Sequence, residues 1–296
     1  MNKREYLALP TVAHFIEFLR SRLLSDDGQF AHGYQVESRG KSEATVPWSC
    51  DSIYDAFLKY DWRYSYQDPS TGERHTGSSF EESEHILSLL SKKLRTAVAD
   101  KNSAEASYCC QIVLDWGGVL GSSKKGNKKK LESFDGALAG YLAETKLLFE
   151  SQKVQLDKEY RVSTEGKSFD VVMNAGFTKI YSILCEDFII YDGRVGAALG
   201  LLVREFLEHK NESKVLPDEL AFHYGRAKNS KVKRNPSSGS LKFPGLSSSS
   251  PAHIRSNLKA NWILQDVIRE GAGKFSSLQD PLRGIEAALF MIGYRV

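Results

Sequence analysis

Residues 174–202 read NAGFTKIYSILCEDFIIYDGRVGAALGLL, and this stretch decides how the whole chain is understood. Across residues 169–185 apolar side chains recur at helical spacing, with Asn174-Ala175-Gly176 interrupting them. Residues 188–191 then read as extended chain or a tight connection. Asp192 stands where a helix N-cap belongs, and residues 194–207 form the helix that it opens. The order is helix, glycine-containing bend, helix, short extended link, Asp, long helix. Within the last helix Gly196 and Gly200 form a GxxxG pair, which in a chain of this composition permits close packing rather than membrane pairing.

Working outward, helical periodicity continues on both sides. Residues 11–24 place Val12, Phe15, Ile16, Leu19 and Leu23 on one face behind Pro10. Residues 79–99 begin with a capping box, Ser79 to Glu82, and carry Ile86, Leu87, Leu90, Leu94 and Val98 as an apolar stripe. Further helices are predicted over residues 104–116, 131–149, 252–268 and 280–292, with a short one opening at Pro217. Residues 26–45 lose periodicity and read as loop, residues 46–62 are rich in aromatic side chains, and residues 64–79 form a turn-rich polar segment. Strand is expected only near Tyr64 or Tyr160. The fold class is therefore mainly α with little strand. It divides into an N-terminal helical and aromatic lobe, residues 1–103, and a C-terminal helical lobe, residues 104–296, that carries a basic loop over residues 226–251.

Composition narrows the function classes. The 296 residues include 15 Phe, 13 Tyr and 4 Trp, enough core material to exclude a mainly disordered chain. No run of eighteen apolar residues exists, so no membrane contact is expected. The first residues are too charged and amphipathic for a signal peptide, and four cysteines without CxxC spacing fit a reducing cytoplasm. The net charge of +3 conceals a one-sided distribution. Residues 220–265 hold no Asp or Glu but eight bases: Arg226, Lys228, Lys231, Lys233, Arg234, Lys242, Arg255 and Lys259. The rest of the chain therefore sums to −5. Such a block repels itself unless a polyanion or solvent lies beside it. A shorter cluster, KKGNKKK, occupies residues 124–130.

With its Asp after a short extended run at a helix start, IIYDGRV, the central stretch resembles the helix-hairpin-helix DNA glycosylase superfamily. That family includes endonuclease III and the 8-oxoguanine DNA glycosylases. The stretch WGGV at residues 116–119 and the pair Thr178-Lys179 are similar to bacterial proteins with an 8-oxoguanine glycosylase-like fold, some of them in antiviral defence loci. The residues Met173-Asn174-Ala175-Gly176-Phe177 stand where the family carries its LPGVGxK hairpin. The resemblance implies Asp192 as the catalytic carboxylate and places Lys179 as a candidate Schiff-base lysine. The interval between them is shorter than in bifunctional members, so a monofunctional enzyme is implied, one that leaves an abasic site. The implied substrate is a damaged or modified base of double-stranded DNA, such as glucosylated hydroxymethylcytosine in phage DNA.

The chemistry asks for matching residue types. Breaking an N-glycosidic bond builds positive charge on the sugar, which a fixed carboxylate stabilises. The base must first leave the stack for a pocket, and Trp48, Tyr54, Trp62 and Trp116 are candidate walls. Arg194, Arg226, Lys228, Lys231, Lys233, Arg234 and Lys242 are candidate phosphate contacts. No cofactor or metal is expected: His209, His223 and His253 are scattered, and no phosphate-binding glycine motif occurs. Two other readings compete. Asp192 can be a helix cap alone, within a non-catalytic DNA-binding module. Alternatively Glu144 and Lys146, with Asp135 before them, can form a nuclease-like ExK pattern, although on a predicted helix.

Overall fold

Caps and apolar spacing put most helices where the sequence places them. A computed structural model describes residues 1–23, 30–37, 45–210, 215–247 and 249–296. In chain order the elements are α1 (Lys3–Leu7), α2 (Pro10–Leu23), β1 (His32–Glu37), β2 (Thr45–Cys50), α3 (Ile53–Leu58), β3 (Tyr64–Gln67), β4 (Arg74–Gly77), α4 (Phe80–Ala99) and α5 (Ser103–Trp116). They continue with α6 (Asn127–Glu132), α7 (Leu138–Glu150), β5 (Arg161–Thr164), β6 (Lys167–Asp170), α8 (Phe177–Leu184), α9 (Gly193–Lys210), α10 (Ser250–Ile268) and α11 (Pro281–Ile292). Short 3-10 turns occupy Asp218–Leu220 and Gly273–Ser277. The described chain is mainly helical, and each strand belongs to a two-stranded antiparallel hairpin. No helix among the described residues is long and apolar enough to cross a membrane.

The chain forms two compact units, and neither is continuous in sequence. Unit 1 takes Met1–Lys3, Asp61–Ile190 and Ser249–Ile254; unit 2 takes Arg4–Tyr60, Tyr191–Ser248 and Arg255–Val296. The boundary expected at residue 103 instead falls between α4 and α5, which pack together inside unit 1.

Unit 1 is built around α5. Its Cys109, Cys110, Ile112 and Val113 are buried, and the helix packs against α4, α7, α8 and β3. The capping box of α4 is present as read: Ser79 accepts from the Glu82 N–H at 3.1 Å, and Glu82 accepts from the Ser79 N–H at 2.9 Å. Asn102 caps α5 more simply, its side chain accepting the Glu105 N–H at 3.0 Å. Two tyrosines buried in this core satisfy each other. Tyr181 donates to the Val172 carbonyl at 2.8 Å, so the 2.7 Å contact between hydroxyls must be a bond from Tyr141, whose own oxygen accepts the Val172 N–H at 3.0 Å. The helix expected over residues 131–149 is two helices, because Asp135 and Gly136 adopt φ of 45° and 81°, left-handed values that an α-helix cannot pass through. Likewise residues 169–185 split into the end of β6 and α8, whose first N–H groups, from Gly176 and Phe177, bond the Asn174 side chain.

Unit 2 places α9 against α2 and α11, with α11 also lying on α3. Val195, Ala198, Leu199, Leu202 and Val203 of α9 are buried, as are Ile285, Leu289 and Ile292 of α11, which packs on it. Full burial of each such large side chain contributes about 1.5–3 kcal/mol. Part of the segment read as loop, residues 32–37, is instead β1. It pairs with β2 in register, Tyr34 opposite Trp48 and Val36 opposite Val46. Residues 26–29 and 38–44 of that reading, and residue 24 of the helix read over residues 11–24, lie outside the described residues. The basic segment is irregular, as expected, but it is not a solvated loop. Val232, Pro236, Leu241 and Phe243 are buried, and Tyr224 holds the returning chain through bonds to Pro244 and Leu246.

The first turn of α9 is where unit 2 is tightest. The Gly193 and Gly225 backbones touch, so that a Cβ on Gly225 would sit 2.5 Å from the Gly193 Cα. Gly293 packs on the Arg194 carbonyl in the same way. The GxxxG pair does serve close packing, but its partners are irregular chain: Gly196 meets the His223 carbonyl and Gly200 meets Pro236. We expect Gly225→Ala to destabilise the protein by about 1–3 kcal/mol in urea unfolding, the range for overpacking. Gly245→Ala, with open space at its Cβ, should change stability by less than about 1 kcal/mol.

Candidate functional site

Asp192 follows the buried Tyr191, whose hydroxyl donates to the His223 carbonyl at 2.8 Å and so fixes the chain entering α9. The Asp192 side chain is half-buried. Its Oδ1 accepts the N–H groups of Arg194 at 2.8 Å and Val195 at 3.1 Å. These are orphan donors of a helix start, and a carboxylate there also meets the positive end of the helix dipole. Oδ2 has no hydrogen-bond partner among the described residues. Asp192 therefore caps its helix with one oxygen and presents the other.

Two guanidiniums lie near enough to this carboxylate to interact with it electrostatically. That of Arg194 lies over the rings of Phe290 and Tyr294, 4.2 and 5.0 Å from their centroids. Burial pushes its pKa down to about 10, and the nearby Asp192 opposes the shift, so it stays charged at neutral pH. Arg234 donates to the Tyr294 carbonyl at 3.2 Å. Burial lowers its pKa too, again opposed by Asp192.

Beside them runs an aromatic stack. Tyr34 is the middle ring, 4.6 Å from Trp48 and 5.0 Å from Tyr294, both nearly parallel. The Tyr34 hydroxyl donates to the Met291 carbonyl at 2.7 Å, and burial raises its pKa. Tyr294 accepts the Glu37 N–H at 3.2 Å. The Trp48 indole N–H is buried and makes no hydrogen bond to any described residue, an uncommon state for a buried donor. Phe290, Tyr34 and Tyr294 were not among the sequence candidates. The alternation of Phe30, His32, Tyr34 and Val36 was the available signal for Tyr34, and Gly33 and the polar residues between them masked it.

The basic segment divides by exposure. Arg226, Lys228, Lys231, Lys233 and Lys242 are exposed, and none is ion-paired among the described residues. Arg234 is half-buried in the cluster just described. The end of the chain ties the segment down: the Val296 N–H donates to the Lys233 carbonyl at 3.1 Å, and Arg295 donates to the Lys231 carbonyl at 2.6 Å.

The remaining candidates lie elsewhere. Tyr54, in unit 2, packs edge-on to Phe275 at 5.0 Å. Trp62, Trp116 and Lys179 belong to unit 1. Trp116 is buried near Tyr64, and its indole N–H has no hydrogen-bond partner among the described residues. Lys179 is 5% exposed; its ammonium donates to the Ala175 carbonyl at 2.8 Å and its stem lies against Gly117. Glu144 and Lys146 do lie on a helix, α7, where Lys146 bonds Glu150 one turn on at 2.5 Å.

No protein-family model, curated protein or solved structure matches the chain. Its function has to be read from its own residues. The cap itself is testable: Asp192→Ala should lower stability by about 1 kcal/mol, while Asp192→Asn, an equally good cap, should shift it by a few tenths at most in chemical denaturation.

Proposed function

We propose that the protein is a monofunctional DNA N-glycosylase of helix-hairpin-helix-like architecture. It binds double-stranded DNA, takes one base out of the stack and hydrolyses its bond to the sugar. The observation that carries this reading is the occurrence in unit 2 of a half-exposed carboxylate, one oxygen unshared, with stacked aromatic rings and an acid-free segment bearing five exposed cations.

Each part has a role in such a reaction. As the bond to the base lengthens, positive charge grows on the sugar. The Asp192 carboxylate, held by its cap, stabilises that charge and orients or deprotonates the attacking water. A fixed group of this kind supplies about 3–4 kcal/mol of barrier lowering. Trp48, with Tyr34 behind it, offers a face on which an extruded base stacks. Arg226, Lys228, Lys231, Lys233 and Lys242 meet phosphates, while Arg194 and Arg234 serve the carboxylate. A modified base of phage DNA, such as glucosylated hydroxymethylcytosine, is the substrate we propose to test, in antiviral defence or repair.

The two cap hydrogen bonds favour a second reading, a non-catalytic DNA-binding module. Base release separates the two. Purified protein, in EDTA, is incubated with ordinary duplex DNA and with glucosylated phage DNA, and abasic sites are read by alkaline cleavage. The glycosylase reading expects sites with the wild type and a hundred- to thousandfold slower release with Asp192→Asn, with DNA binding retained. Full activity in that variant would remove Asp192 from the chemistry. Both readings share one expectation, measured by anisotropy across a salt series. Replacing Lys231 and Lys233 with Gln should reduce the slope of log K against log salt by about one per lysine.

A further inference from the structure

A second cluster in unit 2 is not used by the reaction just described. Arg255, Ser256 and Lys259 lie within four residues on α10, at spacings of three and four that put them on one face. Ser256 is buried, and its hydroxyl meets His223 Nδ1 at 2.9 Å, which brings the imidazole against this face of the helix. That bond occupies one ring nitrogen and leaves Nε2 without a partner among the described residues. The half-buried Arg255 makes no hydrogen bond or ion pair with any described residue. Lys259 donates to a carbonyl, that of Asp218, at 2.8 Å, and has further donors to spare.

Three basic groups thus share a partly desolvated patch. Burial lowers the pKa of Lys259 to about 8, with Arg255 adding to the shift and Glu219 and Asp218 opposing it. His223 is likewise lowered by burial and by the charges of Lys259 and Arg255. Like charges held together in this way form a field that an anion relieves. The planar fork of Arg255 suits two oxygens of one tetrahedral group.

We propose that Arg255, His223 and Lys259 form a binding site for a phosphate group. The Arg255 guanidinium is its bidentate donor, and His223 Nε2 and Lys259 Nζ are its flanking donors. The source of the phosphate is a nucleic-acid strand; that assignment rests on the DNA reading above, whereas the site itself rests on these side chains.

The test has two arms. In the first, inorganic phosphate is titrated into the full chain at constant ionic strength while the His223 ring resonances are followed by NMR. A saturable shift is expected in the wild type. Arg255→Gln should weaken it tenfold or more, as the loss of charge-assisted bonds implies, and Arg255→Lys should retain part of it. Unfolding midpoints of the variants, expected to match the wild type, show that the fold is kept; Lys259→Gln, which can still donate to Asp218, gives a second weakened variant. In the second arm, Arg255→Gln is expected to reduce the salt slope of DNA binding by about one. A phosphate shift with an unchanged slope supports the site and assigns it to a free phosphate ester. A reduced slope without a shift supports it as a strand contact whose affinity needs the rest of the DNA. No saturable shift together with an unchanged slope overturns the proposal. Base release is read separately. An intact phosphate site in a protein that releases no base overturns the glycosylase reading alone, and an empty site in an active enzyme overturns this one alone.

Discussion

Unit 2 depends on three backbones meeting at the first turn of α9. Gly193 and Gly225 touch without side chains between them, and Gly293 rests on the Arg194 carbonyl. Contacts this close require glycine, because a Cβ at any of the three positions would overlap backbone atoms. The crossing leaves the turn that carries Asp192 no freedom to tilt. A carboxylate whose backbone is clamped, and whose Oδ1 bonds two N–H groups, points where it points before any ligand arrives. Such preorganisation makes a charged group useful to a transition state, since nothing has to be reoriented when charge develops.

The cations of unit 2 do not all lie in the same surroundings. The guanidinium of Arg194 is weakly hydrated and flat, and it is the one laid across Phe290 and Tyr294. The lysines at 228, 231, 233 and 242 keep their compact, strongly hydrated ammonium groups in water. Residues 220–265, a uniform row of positive letters, are likewise of two kinds: Arg226 and these four lysines are exposed, whereas Arg234, Arg255 and Lys259 are half-buried. Buried Val232, Leu241 and Phe243 pin the segment to the unit.

The helices were the legible part of the fold, because their signals are local. Ser79 and Glu82 are three residues apart, Asp280 stands directly before Pro281, and Asp192 directly before Gly193, so cap and helix are read in one glance along the chain. The hairpin of β1 and β2 was not legible, since its register is set by pairing Tyr34 with Trp48 across an intervening segment without pattern. The break between α6 and α7 also escaped, as the apolar spacing runs on through Asp135, and only the backbone reveals its left-handed turn. For the candidate site the sequence supplied Asp192, Trp48, Arg194 and Arg234 as separate suggestions. Their meeting depends on Tyr34 and Tyr294, which lie 260 residues apart, a separation no local pattern can bridge. The other suggested aromatics, Trp62 and Trp116, were chosen by residue type alone, and they belong to unit 1.

The interleaving of the two units has a temporal consequence. Most of unit 1 is one run, Asp61–Ile190, whereas unit 2 draws on the beginning, the middle and the end of the chain. Chains emerge from the ribosome N-terminus first, and domains form as their segments become available. The bulk of unit 1 is complete long before α11 exists, while α3 and α9 must wait for that helix to cover them. The aromatic stack waits longer still, for Tyr294 closes it. During synthesis the apolar faces of the earlier helices stay open, and the carboxylate of Asp192 has neither its aromatic neighbours nor its clamp. A nascent chain is thus without the candidate site until synthesis has passed Tyr294, however early Trp48 and Asp192 have emerged.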